Sequence, residues 1–221
     1  MEVRRRSREL AVVVHADVAG YSGLMEIDED VAHARVTDYF DVVEIVLRDY
    51  GGSILEKRGD AILVDFKSAS PAVAAALRAQ EIVAARNKEL TDSILPLLRI
   101  GIHLGEVIKD RGTVWGAGAN MAQRVEQLAT PGGVAVSSAV FDAITKSLPF
   151  DYEELGASKV KNTEVKAYRV RLREGLAVPE AEIFNPLCPN APSRPTSRFP
   201  VGRLVLTALV GLALSGLAGY S

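Results

Sequence analysis

The chain is poor in sulfur and in aromatic side chains: 221 residues include one cysteine, one tryptophan and three histidines, and only 6% are aromatic. A lone cysteine, Cys188, excludes an intrachain disulfide framework and fits a reducing compartment. His15 and His103 fall in strand-like runs without metal-ligand spacing to each other, so both read as sheet packing. Charge of either sign is not in excess. The net value is −2, which gives no pull towards nucleic acid, and Arg4, Arg5, Arg6 and Arg8 make only a short basic, solvated arm over residues 1–9. No secretory signal precedes Leu10. What is present, 48% hydrophobic and 24% charged residues, is an ordinary globular balance, enough for one domain with an appendage.

The apolar pattern predicts an α+β domain over residues 10–172. Leu10 to Ala16 reads as a buried strand, and Asp28 to Tyr50 has apolar residues at helical spacing, ended by Gly51 and Gly52. Gly52–Glu56 and Ala61–Phe66 read as the arms of a hairpin. Ser68 can cap an alanine-rich helix running to Glu89, with Pro71 in its first turn, and Leu97–Val107 reads as a strand. The order β-α-β-β-α-β is that of a ferredoxin-like sheet. A third helix is expected over Ala117–Ala129, stopped by Pro131, Gly132 and Gly133. Short strands are expected at Val134–Val136, Asp151–Leu155 and Lys166–Leu172, with a helix over Ser138–Lys146.

Two aspartates stand out because each sits beside glycine at the end of an apolar run: Asp17 in Ala16-Asp17-Val18-Ala19-Gly20-Tyr21-Ser22, and Asp60 in Gly59-Asp60. Taken singly, each is an acceptable turn residue. If their strands are neighbours, both carboxylates emerge at one edge of the sheet, where their repulsion is relieved by a hard divalent cation such as Mg²⁺. Downstream, Arg99-Ile-Gly-Ile-His-Leu-Gly-Glu-Val107 and Trp115-Gly-Ala-Gly-Ala-Asn-Met-Ala-Gln-Arg124 follow in order. Asn120 and Arg124 are four residues apart and so share one helix face.

In these four ordered motifs the sequence resembles the catalytic domain of the class III adenylate and guanylate cyclases, over about Leu10 to Leu172. The resemblance implies a phosphorus-oxygen lyase that turns ATP or GTP into the 3′,5′-cyclic monophosphate and pyrophosphate, with two ions, Mg²⁺ or Mn²⁺, per site. It implies Asp17 and Asp60 as metal ligands, Asn120 orienting the ribose and Arg124 stabilising the transition state. It also implies backbone N–H donors from Val18, Ala19, Gly20, Tyr21 and Ser22 to the triphosphate, with Lys161, or Lys159 beside it, as a further triphosphate ligand. In this family the metal aspartates and the Asn/Arg pair serving one nucleotide come from different subunits. A homodimer of this chain would then carry two equivalent sites.

The purine contacts implied are Glu56 and Thr113. Adenylate cyclases commonly have lysine where Glu56 stands, and guanylate cyclases resemble this chain there. A carboxylate accepts from guanine N1–H, whereas adenine N1 offers it no donor. Thr113 can serve either base. Against Glu56 stands the preponderance of cyclic AMP producers among bacterial-type members, which puts ATP slightly ahead of GTP. The alternative from another functional class is a catalytically silent, membrane-tethered dimerisation module of the same fold.

Residues 173–203 carry six prolines and read as an extended linker. Beyond it, residues 204–221 are eighteen residues without a charge. As a helix of roughly 27 Å at about 1.5 Å per residue they just suffice to span a membrane. Arg194, Arg198 and Arg203 precede them, so the expectation is one pass through the plasma or inner membrane with the catalytic domain cytoplasmic. Gly211, Ser215 and Gly219 form a small-residue stripe suited to helix pairing.

Overall fold

A computed structural model describes residues 8–110, 113–144, 148, 150–160 and 163–184. Its chain order begins β1 (Arg8–Val18), α1 (Tyr21–Ile27), α2 (Glu29–Asp49), β2 (Ser53–Arg58), β3 (Ala61–Phe66), α3 (Ala69–Asn87) and β4 (Leu98–Asp110). It continues with β5 (Thr113–Trp115), α4 (Ala117–Glu126), β6 (Val134–Ser137), α5 (Ser138–Ile144), β7 (Phe150–Val160) and β8 (Thr163–Leu172). One mixed sheet runs β2-β3-β1-β4-β6-β8-β7, with β5 paired to β4 off that path. The first four strands have the β-α-β-β-α-β order with β1 and β4 adjacent. Every pairing is antiparallel except β4 with β6.

Alternation along β1 sends its side chains to two faces. Ala11, Val13, Leu63 and Val107 pack with Ala122 of α4. On the opposite parity, Val12, Val14 and Ala16 are almost wholly buried, as are the alanines at 72, 74, 75, 76 and 79 in α3. The small side chains of α3 let that helix lie close to its neighbours. α2 is capped by Asp28, whose carboxylate accepts from the Val31 amide at 3.1 Å, and it places Glu29 and Asp30 in its first turn and Arg48 in its last, matching the helix dipole at both ends. Ser68 occupies the residue before α3 but makes no side-chain cap.

The last hairpin is longer than its apolar pattern suggests. Gly156, at φ +78°, lies in a register shift between Glu154 and Ala157, and the strands continue beyond it. A glycine that reads as a stop in sequence here accommodates a bulge. The three-residue β5 is too short to show a period and was not expected, and α4 ends at Glu126, three residues before Ala129. Among the described residues no helix is long and apolar enough to cross a membrane; the segment 204–221 lies outside them.

Candidate active site

Asp17 and Asp60 are brought together by strand register. Asp17 pairs with Ala61 across β1 and β3, and the Val18 amide donates to the Asp60 carbonyl at 2.9 Å, which fixes the turn carrying Asp60 to the end of β1. Gly59, at φ +49°, supplies the left-handed conformation of that turn. Next to it lies a cavity of about 390 Å³, lined among others by His15, Glu56, Arg58, Asp60, Asn120 and Gln123. Asp17 is not on its wall but pairs with Ala61, which is.

Glu56 reaches this cavity because it pairs with Leu63, on the sheet face that α4 covers. Its carboxylate meets the Arg58 guanidinium in a short ion pair. Lys57 points the other way and its ammonium lies 2.6 Å from Asp41 of α2, as alternation requires. Asn120 stands on α4 at the cavity, and Arg124 follows one turn later, half-buried. Thr113 pairs with Asp110 where β5 meets β4; Lys161 lies outside the described residues.

The loop after β1 differs in detail from expectation. Val18 N–H is bonded to Asp60 and Ala19 N–H to the Leu97 carbonyl at 2.8 Å, so neither amide is left to point at a ligand. Gly20, at φ +67°, turns the chain into α1, and the amides of Tyr21 and Ser22 fall in its first turn, where a helix has no internal acceptor for them.

Three charged or titratable groups lie beneath this site: Arg99, Glu126 and His15, the last read from sequence as sheet packing. Arg99, at the start of β4, donates through Nη2 to Asp17 Oδ2 at 2.7 Å, and its Nε lies 2.8 Å from Glu126 Oε1. Glu126, on α4, is 2% exposed, and His15 Nδ1 lies 3.8 Å from its other oxygen. Burial pushes the Glu126 carboxyl up to about 7, against the opposing pull of Arg99. Burial lowers the His15 imidazole below its ordinary value, partly offset by the Asp17 charge, so His15 is a neutral neighbour and Arg99 is the cation that Glu126 meets. A signal was present in sequence: Ala122, Glu126 and Ala129 follow one another at helical spacing, so a carboxylate interrupts an apolar stripe.

The donor chemistry fits a hard cation. Asp17 and Asp60 stand at one end of the β1–β3 pair, held there by strand register and by the Val18 amide. Among the described residues no cluster of three or more His, Cys, Asp or Glu side chains forms a metal cage. Asp17 and Asp60 are the residues that would hold a cation such as Mg²⁺, which takes one or two carboxylates and leaves its other positions to water and phosphate.

The chain is 36% identical over 158 residues to a Rhizobium meliloti protein named "Putative adenylate cyclase 3", covering 71% of this chain and 27% of the relative. It therefore spans about a quarter of that relative's length. Among solved structures, the Silicibacter pomeroyi adenylate/guanylate cyclase/hydrolase superposes with a TM-score of 0.69 at 29% identity, covering 75% of this chain and 98% of that one. The adenylyl cyclase CyaB from P. aeruginosa shares the fold, with a TM-score of 0.67 at 21% identity over 78% of this chain and all of that one. Residues 4–171 match the adenylate and guanylate cyclase catalytic domain, and the chain belongs to that family.

Proposed function

We propose that this chain is a nucleotide cyclase acting on a purine nucleoside triphosphate, ATP slightly ahead of GTP. The observation that carries this is the convergence of Asp17 and Asp60 at one end of the β1–β3 pair, beside a cavity that also receives Glu56 and Asn120. A volume of about 390 Å³ lies within the range of roughly 300–1,000 Å³ usual for small-molecule sites.

In the reaction the ribose 3′-oxygen attacks the α-phosphorus, the bond from that phosphorus to the oxygen bridging to the β-phosphate breaks, pyrophosphate leaves, and the 3′-hydroxyl proton passes to solvent. Asp17 and Asp60 would hold the divalent ions, which when bound supply a lowered pKa at the 3′-hydroxyl and charge to offset the leaving group. Asn120 orients the ribose through its amide. Arg124 offers planar donors to the charge that develops on the phosphate oxygens. Gly20, Tyr21 and Ser22 carry the amides directed at the triphosphate, with Lys161 or Lys159 as the side-chain cation. Residues 204–221 tether the catalytic domain to the membrane from its cytoplasmic side.

Two arrangements of the site compete. In the family arrangement a two-fold dimer assembles each site from Asp17 and Asp60 of one protomer and Asn120 and Arg124 of the other. The second reading, a site closed within one chain, is favoured by one observation: Asn120 lines the same cavity as Asp60.

Cyclic nucleotide formation from ATP and from GTP, with Mg²⁺ or Mn²⁺, tests the activity directly. Asp17→Ala and Asp60→Ala are expected to abolish turnover while leaving circular dichroism unchanged, and normal turnover in either removes the metal-site reading. Mixing inactive Asp17→Ala with inactive Arg124→Ala is expected to restore activity, because one of the heterodimer's two sites keeps every group. No restoration in proven heterodimers favours the single-chain site, and a wild-type chain inactive with both nucleotides and both metals favours the silent module.

A further inference from the structure

We propose that Glu126 is a positioning residue which, acting through Arg99, governs how readily Asp17 accepts a divalent cation. The inference rests on the reading of Asp17 as a metal ligand. Arg99 has one guanidinium and two carboxylates to serve. Nη2 is hydrogen-bonded to Asp17 at 2.7 Å, while Nε approaches Glu126 Oε1 at 2.8 Å without the alignment of a hydrogen bond. Glu126 Oε1 and Arg99 Nε are both buried and face each other as an ion pair whose hydrogen bond is not aligned. Buried polar atoms in that condition cost stability. The cost is removed if the guanidinium swings from Asp17 towards Glu126.

That swing also uncovers Asp17. A carboxylate oxygen bonded to an arginine is a poor ligand, since the cation must displace the guanidinium and sit beside its charge. Glu126 provides the displaced arginine with a second, fully buried anion. The backbone makes this possible at Gly101, two residues along β4 from Arg99. A Cβ there would lie 2.1 Å from the Glu126 amide nitrogen and 2.4 Å from the Ala122 carbonyl oxygen, so only glycine lets α4 bring Glu126 so close to β4. Because α4 also carries Asn120 and Arg124, the Glu126–Arg99 contact ties the helix bearing one half of the catalytic set to the strand end bearing the other.

The test is binding of Mn²⁺ alone, followed by electron paramagnetic resonance of the free ion at pH 8, with the fold of each variant checked by circular dichroism and thermal melting. Glu126→Gln preserves shape but removes the second anion. Arg99 then stays on Asp17, and Mn²⁺ affinity is expected to fall by roughly tenfold, the effect of losing one charge-assisted contact. The double variant Arg99→Gln/Glu126→Gln removes the competitor as well and is expected to return to within about threefold of wild type or better. A residue that merely supported packing would leave the double variant at least as weak as Glu126→Gln. Wild-type affinity in Glu126→Gln, or no recovery in the folded double variant, overturns the proposal. Asp17→Ala separates the two levels of inference: lost binding there with an unaffected Glu126→Gln sinks only the role of Glu126, whereas unaffected binding in Asp17→Ala sinks the metal-site reading beneath it.

Discussion

A buried carboxylate that titrates near neutrality makes the stability of the domain depend on pH in a direction opposite to the usual acidic residue. Glu126 has a folded value of about 7 against an ordinary 4.5, so between those values the folded chain holds the proton more tightly than the unfolded one. Its stabilising contribution is whole below 4.5 and lost as pH rises through 7. The wild type should therefore lose stability relative to Glu126→Gln between pH 5 and pH 8, by up to about 3 kcal/mol for a shift of this size. His15 works in the other sense, since its lowered value disfavours the fold as pH drops below 6.5. Urea denaturation at several pH values measures this, and a pH-independent difference between the two chains would remove Glu126 as a titrating group. At the cavity wall, Glu56→Lys sets a donor to adenine N1 in place of the acceptor for guanine N1–H. The ATP/GTP ratio of kcat/KM should then rise by about tenfold or more, since a site that loses its hydrogen bond discriminates strongly. An unchanged ratio would mean that Glu56, already paired with Arg58, does not read the base.

At the scale of elements, β1 with its two flanking partners does most to assemble the site, and this part was legible in sequence. The apolar run of β1, the β2–β3 hairpin and the placement of both aspartates at one end follow from period-two alternation and glycine turns. Legibility failed where a contact depends on register between distant segments. The amides of Val18 and Ala19 are taken by Asp60 and Leu97, and Arg99 meets Glu126 only once α4 lies on β4. Local pattern encodes only parts of that meeting: Glu126 interrupts the apolar stripe of α4, and Gly101, a glycine inside an apolar strand, marks close approach of another backbone. Gly101→Ala should consequently be severe, forcing α4 off the sheet at a cost of about 3 kcal/mol or more. Gly132→Ala offers a contrast, because its Cβ meets nothing within 4 Å and only its φ of +78° is penalised. That strain costs about 1–2 kcal/mol. Equal losses in the two variants, read from urea midpoints at unchanged slope, would mean that the α4–β4 approach is not tight.

For the molecule as a whole, the question is where the folded unit stops. Proline content alone suggests an extended linker from residue 173, yet residues 178–184 are held against the domain. The Tyr50 hydroxyl donates to the Pro179 carbonyl at 2.7 Å, Phe184 lies 6.1 Å from the Tyr50 ring, and Val178 and Ala181 are buried. Burial raises the Tyr50 phenol to about 12, so the hydroxyl keeps the proton that it donates to Pro179. Prolines disfavour α-helix and sheet ladder but not an irregular strap that ends in the 3₁₀ turn Ala181–Ile183 and whose Pro179 carbonyl accepts from Tyr50. A fragment ending after Phe184 should keep the stability of the longer chain. One ending at Leu172 should lose about 3 kcal/mol, the sum of burying a valine and an alanine and making one hydrogen bond. Both fragments should form cyclic nucleotide, because no proposed catalytic group lies beyond Lys161, and both should dimerise more weakly than a chain carrying residues 204–221. Coincident urea transitions for the two fragments would show that the strap adds nothing to the fold, and the domain would then end at β8.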